Sequence, residues 1–313
     1  MYNEEIKIRF LDQYKEQDDA ANSNKKNKGY DHNARQALFE LVEPMEAEQS
    51  KDIGDMTLDE IIDILDRIGG SSYVAVVRHV KFLRQYLTWY NENINPSRYV
   101  QPISWKMVDL VPWMKQHLVG DPHEIIRDWG DFRPEDGYFY QPAHILMWYG
   151  MDVTDVCNLK KSEVQDLGDC IQIRTSKHSI DIRDEGLMAV LRAFENFGSV
   201  ETKYTTWVRA NTDRYITRRI RDTDDDESAV LTRKIIYTNT WAFKSRRPDL
   251  LVRYESNNFR NASIYWRVIQ HEKEVGKRDE EFVKQLTGTQ MRYPWYNEAF
   301  WMSLEKYREA FQL

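Results

Sequence analysis

The stretch YGMDVTDVCNLK, from Tyr149 to Lys160, is the part of the sequence from which the fold can be worked out. The residues before it are apolar and have helical spacing over 141–150. A turn follows, and residues 153–159 have the pattern of a second, short helix. This stretch therefore predicts two helices joined by a tight turn.

Two short alternating segments come next along the chain. Residues 171–174 and 179–182 place isoleucines at every second position, which is typical of strands with one buried face. Only four residues separate them, so we predict a β-ribbon with a tight turn around Ser176 and Lys177. Helical patterns at 105–118 and 185–197 flank this region, and the whole indicates a mainly α-helical domain with a small β-ribbon.

The N-terminal part has a helical pattern of its own. Helical stripes at 6–14 and from 38 onward surround a polar break at 22–29, and Pro44 is predicted to interrupt the second stripe. Thr57 and Glu60 fit a capping box, in which each side chain satisfies a free amide at the beginning of a helix. We expect that helix to cover 58–68 and to end at Gly69 and Gly70.

A longer helix is predicted from the Ser71-Ser72 pair to about residue 90. One face is an apolar stripe, and another carries the basic and polar residues Arg78, Lys81, Gln85 and Thr88. Such a row is either the solvated side of an amphipathic helix or a face that lies along a DNA groove. Because Pro96 pushes Asn95 out of helical conformation, we predict a helical domain at 1–95, a linker at 96–105 and a second domain at 106–313.

Composition excludes several classes of protein. Two cysteines among 313 residues, Cys157 and Cys170, argue against a disulfide scaffold and for a reducing compartment. The N-terminus lacks the pattern of a signal peptide, and no apolar run approaches the roughly 20 residues that a membrane span needs, so we expect a cytoplasmic protein without a membrane partner. The sequence has no zinc-ligand spacing and no glycine-rich nucleotide motif, and we predict neither a metal nor a cofactor.

Charge is distributed unevenly. The net charge is −7, which taken alone counts against a nucleic-acid partner. The segment from Thr202 to Arg267, however, contains 14 Lys and Arg residues and only 8 Asp and Glu residues. A basic surface attracts phosphates only over roughly 8–10 Å at physiological salt, so this local excess is compatible with DNA binding. The alternative is that these arginines are ordinary solvated positions.

The order of elements resembles the tyrosine recombinase, or phage integrase, superfamily. Residues 149–160 are similar to the pattern in which TGLR precedes a short helix, and 262–276, ASIYWRVIQHEKEVG, resembles the segment that carries H-x-x-R. Residues 282–289 resemble the stretch that ends in LGH, and the N-terminal half resembles the core-binding domain. The resemblance covers about 35–300, and it implies a two-domain architecture with a helical core-binding domain and a catalytic-like domain.

The catalytic positions of the family are mostly replaced. In active members two arginines and a histidine hold the scissile phosphate, a ribbon lysine protonates the leaving oxygen and a tyrosine attacks. The resemblance places Lys177 at the ribbon position and Tyr293 and Tyr296 near the nucleophile. Other residue types occupy the remaining positions: Asp152 at the first arginine, Ala262 and Tyr265 at H-x-x-R, and Thr289 at the later histidine. Arg260 and Arg267 flank the second motif. We therefore expect a degenerate, inactive catalytic domain.

A recombinase-like protein that cannot cut can still occupy DNA. The resemblance to integrase-derived repressors of Bacillus prophages implies a sequence-specific, double-stranded DNA-binding protein that represses phage transcription and maintains lysogeny. A small protein or peptide antirepressor and self-association through 295–313 are further expected partners. The residues predicted to contact operator DNA are Arg78, Lys81, Arg84, Lys177, Arg214, Arg218, Arg219, Arg221, Lys244, Arg246 and Arg247.

Two other functions stay open at this point. One is a divergent but active site-specific recombinase that uses Tyr293 or Tyr296 with Lys177 and displaced arginines. The other is a protein-interaction module that has lost DNA binding, which the net charge of −7 favours.

Overall fold

The computed structural model describes residues 1–21, 30–97, 102–130, 139–201, 203–238, 247–288 and 293–313. The chain divides into two compact units. The first comprises Met1–Met114 with Arg292–Gln312, and the second comprises Lys115–Met291 with Leu313. The sequence predicts that the C-terminal segment and residues 106–114 belong to the second domain, whereas contacts within the chain group them with the first.

The fold is mainly helical, as predicted, and its described residues form two small antiparallel sheets. The α-helices are α1 Glu4–Ala21, α2 Tyr30–Gln49, α3 Leu58–Ile68, α4 Tyr73–Asn93, α5 Val111–His117, α6 Pro122–Gly130, α7 Tyr140–Trp148, α8 Val153–Asn158, α9 Glu185–Glu195, α10 Arg233–Thr238, α11 Pro248–Leu251, α12 Ser256–Val275, α13 Glu280–Thr287 and α14 Pro294–Phe311. The strands are β1 Val164–Asp166, β2 Ile171–Arg174, β3 Ser179–Ile182, β4 Ser199–Glu201, β5 Thr206–Arg209 and β6 Arg219–Arg221.

The capping box before α3 is confirmed. The Glu60 backbone N–H donates to Thr57 Oγ1 at 3.3 Å, and the Thr57 backbone N–H donates to a Glu60 carboxylate oxygen at 2.5 Å. Hydrogen bonds from Lys51 and Thr57 lower the pKa of the Glu60 carboxyl to about 2. At its other end α3 stops at Gly69, whose φ of +45° is a conformation that favours glycine.

The predicted interruption of the second helical stripe at Pro44 is wrong. Helix α2 continues through Pro44, because Val42 and Met45 on either side of it are buried and their packing outweighs the cost of a proline. Ser72 precedes α4, but its side chain makes no capping hydrogen bond. The helix predicted over 105–118 is also divided, into a 3₁₀ turn at Trp105–Met107 and the helix α5.

Helix α14 packs against α4 within the first unit. The Tyr73 backbone N–H donates to Ser303 Oγ at 2.8 Å, and this hydroxyl in turn donates to the Ala299 carbonyl at 2.6 Å. The side chains of Leu304 and Tyr307 on the same helix are fully buried. The C-terminal segment therefore docks in cis, and its apolar stripe is part of the core of this unit.

The β-ribbon of the second unit follows the predicted strands. Strands β2 and β3 pair antiparallel with Ile171 opposite Ile182 and Ile173 opposite Ile180. Strand β1 adds a third member on the other side of β2. The second sheet, in the order β4-β5-β6, was not predicted, because strands of three or four residues give too little alternation to recognise.

Two further features bear on function. Within the described ranges, no helix is both long and apolar enough to cross a membrane. The same part of the chain holds no group of three or more His, Cys, Asp or Glu side chains placed to bind a metal ion.

Candidate nucleic-acid interface

Asp152 begins helix α8. Its Oδ1 accepts a hydrogen bond from the Asp155 backbone N–H at 2.8 Å, the geometry of an N-cap. The side chain is exposed, and it lines a cavity of about 370 Å³ in the second unit. The residue at the predicted first arginine position therefore presents a carboxylate to this cavity.

Helix α12 supplies the other wall of the cavity. Its residues at helical spacing face inward, so one side of the helix lines the space and the opposite side packs into the core. The complete lining consists of Met147, Gly150, Met151, Asp152, Val153, Ser256, Phe259, Arg260, Ser263, Ile264, Arg267 and Leu286.

The structure does not bring the two predicted H-x-x-R positions to the cavity. Ala262 and Tyr265 are 0% and 2% exposed, and both belong to the buried side of α12. The cavity is faced instead by Ile264 and Arg267, which have the same three-residue spacing. Arg267 therefore presents a guanidinium to the cavity, although it does not occupy either of the predicted positions.

Arg267 owes its position to Gly150. A Cβ atom at residue 150 would lie 2.7 Å from the Arg267 Cζ, and the φ of Gly150 is +101°, so only glycine fits beside this guanidinium. Burial lowers the pKa of Arg267 from its ordinary value. Within the described residues, neither Arg267 nor the exposed Arg260 makes an ion pair or a hydrogen bond through its side chain.

Lys177 lies at the tip of the β-ribbon, as predicted. The turn is held by Thr175, whose Oγ1 accepts hydrogen bonds from the backbone N–H groups of Lys177 and His178 at 3.1 and 2.9 Å. Lys177 Nζ donates to Asp155 Oδ1 at 2.7 Å, and His178 Nε2 lies 2.7 Å from Asp155 Oδ2. The ribbon lysine is thus paired with a carboxylate one helical turn after Asp152.

The two candidate nucleophiles belong to the first unit. Tyr293 is exposed at the N-cap position of α14, and Tyr296 is half-buried in the first turn of that helix. Thr289 lies outside the described residues.

The basic row on α4 is exposed. Arg78, Lys81 and Arg84 lie on its solvent-facing side, at successive intervals of three residues. The Arg84 guanidinium donates to the Ile103 carbonyl, and the Lys81 ammonium lies 5.5 Å from the centre of the Phe82 ring. These contacts orient the side chains and leave their charge at the surface.

The arginines of the second unit are more engaged with the chain itself. Arg214 donates to the Asn158 carbonyl at 2.6 Å, Arg221 stacks over Trp207 at 5.5 Å, and Arg247 pairs with Asp249 at 3.0 Å. Arg218 is half-buried. The side chain of Arg219 and all of Lys244 and Arg246 lie outside the described residues.

Two further arginines of the segment from Thr202 to Arg267 are structural. Arg253 donates to Asp128 Oδ2 at 3.0 Å and to the Leu118 carbonyl at 3.1 Å, and it forms an ion pair with Glu124. Arg209 donates to the carbonyls of Phe194 and Tyr215 at 3.0 Å each. The local excess of positive charge therefore overstates how much of it is free to meet phosphates.

Comparisons with known proteins find a similarity in the N-terminal part of the chain. The family model described as the N-terminal core-binding domain of MrpR matches residues 1–92. Among solved structures, a crystal structure of XerA recombinase is 15% identical, with 96% of this chain and 97% of that chain covered and a TM-score of 0.36. A likeness at this TM-score does not by itself establish a shared fold. No curated protein matches the chain. The first 92 residues are therefore similar to the MrpR core-binding domain, and the match ends within α4.

Proposed function

We propose that this protein binds double-stranded DNA sequence-specifically and does not cut it. The observation that carries the proposal is the match of residues 1–92 to a core-binding domain. Helix α4 forms the C-terminal end of the matched segment, and it presents Arg78, Lys81 and Arg84 to solvent. Lysine and arginine side chains at a protein surface supply the phosphate contacts that position a duplex.

Three features of the second unit argue against cleavage. Asp152 presents a carboxylate to the cavity in which the scissile phosphate would have to bind. A carboxylate repels a phosphate, whereas catalysis needs groups that stabilise its negative charge. No histidine lines the cavity in the described part of the chain. Lys177, the proton donor of active relatives, is held by Asp155 at 2.7 Å. Removing a single preorganised donor costs on the order of 10²–10³ in rate, so we expect the combined effect to abolish recombination.

A protein that holds a specific site without cutting it blocks other proteins from that site. We propose that it acts as a transcriptional repressor, of the kind that maintains a prophage. This proposal implies an operator sequence, and it includes a small protein or peptide antirepressor and self-association as further partners.

One observation favours a second candidate, an active recombinase. Arg260 and Arg267, which flank the second motif, both face the cavity, so this space contains two guanidiniums. Under this hypothesis Tyr293 or Tyr296 would be the nucleophile.

The test begins with selection of fragments of the source genome by the purified full-length chain, followed by footprinting of the selected site. A discrete footprint supports sequence-specific binding. Absence of any selected fragment contradicts it and favours the interaction-module hypothesis. SDS-resistant protein–DNA species on a nicked version of the selected site would replace the proposal with the recombinase.

A further inference from the structure

The cavity between α7, α8 and α12 has the chemistry of a small-molecule site. Its volume, about 370 Å³, is at the small end of the range for ligand pockets. Apolar side chains form part of the lining, and charged groups of both signs face the same space. The charged residues are Asp152, Arg260 and Arg267.

The two guanidiniums are available to a ligand. In the part of the chain that the structure describes, neither Arg260 nor Arg267 is in an ion pair, including with Asp152. A half-buried guanidinium without a partner is unfavourable, because its donors have lost part of their hydration without gaining hydrogen bonds. An anion bound by the planar donor groups of arginine would satisfy them, and phosphate or carboxylate fits their geometry best.

Asp152 adds a second requirement. Its Oδ1 accepts the N-cap hydrogen bond of α8. Among the described residues no hydrogen bond reaches Oδ2, and the charge of Lys177 acts on this carboxylate without a hydrogen bond. A phosphodiester of the DNA backbone offers only acceptor oxygens, so it would leave this carboxylate unpaired and repelled. A ligand that carries an ammonium group near its anionic group would satisfy both arginines and the aspartate.

We propose that this cavity binds a small zwitterionic phosphate or carboxylate, with the anionic group on Arg260 and Arg267 and the ammonium group on Asp152. The hydrocarbon part of the ligand contacts Phe259 and Ile264 in the lining. Ligand binding is measurable in the absence of DNA, so the result does not depend on whether the proposed DNA binding is correct.

The test is calorimetric titration of the full-length protein with O-phosphoethanolamine. Two matched probes accompany it: ethyl phosphate lacks the ammonium group, and dimethyl phosphate is a phosphodiester. One charge-assisted hydrogen bond changes an affinity by roughly tenfold or more, so we expect ethyl phosphate to bind about tenfold more weakly. Dimethyl phosphate should bind more weakly still, because it carries a single negative charge.

Three variants assign the contacts. Arg260→Gln, at an exposed position, and Arg267→Gln should each weaken binding of O-phosphoethanolamine at least about tenfold. Asp152→Asn keeps an N-cap residue for α8, and it should make O-phosphoethanolamine and ethyl phosphate bind equally. Arg127→Gln is the control, because this guanidinium is 71% exposed and does not line the cavity.

Several results overturn the inference. No binding of O-phosphoethanolamine, equal binding of dimethyl phosphate, or the same weakening in Arg127→Gln would each exclude the site as described. Arg267→Gln could lower the thermal midpoint so far that titration is impossible. In that case the affinity of Arg260→Gln alone tests the site, because the Arg260 side chain is exposed and its replacement should not affect folding. Unchanged affinity in a folded Arg260→Gln protein contradicts the assignment of the anionic group.

Discussion

Lys177 Nζ and Asp155 Oδ1 lie 2.7 Å apart, so the tip of the β-ribbon is tied to helix α8 by an ion pair. The hydrogen bond that Lys177 donates to Asp155 raises the pKa of the Lys177 ammonium. Burial works against ionisation of Asp155, yet the hydrogen bonds from Lys177 and His178 leave the pKa of this carboxyl below its ordinary value. Lys177 is charged and solvent-accessible, but its charge is largely compensated within the chain.

This pair predicts a gain of DNA affinity on removal of the carboxylate. In Asp155→Asn, Lys177 is released from its partner and becomes free to contact phosphate. The slope of log K against log salt should become steeper by up to about 0.9, the contribution of one neutralised phosphate. Fluorescence anisotropy on the selected operator over a salt series measures this slope. In the double variant Asp155→Asn, Lys177→Ala the slope should return to that of the parent. An unchanged slope in the single variant would show that Lys177 does not contact DNA.

The absence of strand cleavage is a second prediction, based on Asp152 and on the lack of a histidine in the described cavity lining. Nicked suicide substrates containing the operator should give no SDS-resistant protein–DNA species, even after long incubation. If such a species forms and disappears in Tyr293→Phe or Tyr296→Phe, the protein is a recombinase with displaced catalytic residues. Asp152→Arg is a second variant to assay, because it replaces the carboxylate at the beginning of α8 by the arginine that the recombinase pattern has at this position.

Binding should depend steeply on salt despite the sequence pI of about 5.6. Each phosphate contact contributes about −0.9 to the slope of log K against log salt, and the three exposed residues of α4 alone would give a slope of roughly −2.7. Titrations between about 50 and 300 mM salt measure it. A slope near zero would instead favour the protein-interaction hypothesis.

Stability should fall in mild acid because of His144. This ring is buried among Trp129, Tyr254 and Phe259, and burial lowers its pKa to about 4. The unfolded chain binds a proton near pH 6.5, whereas the folded chain does so only near pH 4. Stability that is present above pH 6.5 is therefore lost as the pH falls towards 4. One such group contributes at most on the order of 3 kcal/mol.

Thermal midpoints of the parent and of His144→Leu at pH 7.5 and 5.0 test this effect. The parent should lose more stability between the two values than the variant. His79, whose pKa burial also lowers to about 4, titrates in the same window and provides a comparison in His79→Leu. Identical acid sensitivity in the parent and in both variants would show that neither imidazole is responsible.

The elements that sequence predicted correctly are those whose pattern is local. The capping box of Thr57 and Glu60 and the isoleucines of β2 and β3 each involve a few neighbouring residues and one buried face. The face of α12 that lines the cavity was not predictable in this way. This helix buries Ala262 and Tyr265 on one side and lines a cavity with Arg267 on the other, so its apolar pattern does not show which side faces the site. The position of Arg267 depends on its approach to Gly150, more than 100 residues earlier in the sequence.

The row on α4 gives the sharpest test of DNA binding. Arg78→Glu with Lys81→Glu reverses two exposed charges on the helix that ends the core-binding match. This double variant should weaken operator binding by at least about 100-fold, since repulsion replaces the attraction of each of the two side chains for phosphate. The thermal midpoint should stay within a few degrees of the parent, because neither side chain is buried. Lys273→Glu with Lys277→Glu makes the same change of net charge at exposed positions near the end of α12, and it should weaken binding far less. Equal weakening in the two double variants would mean that net charge alone, and not a surface on α4, governs the affinity for DNA.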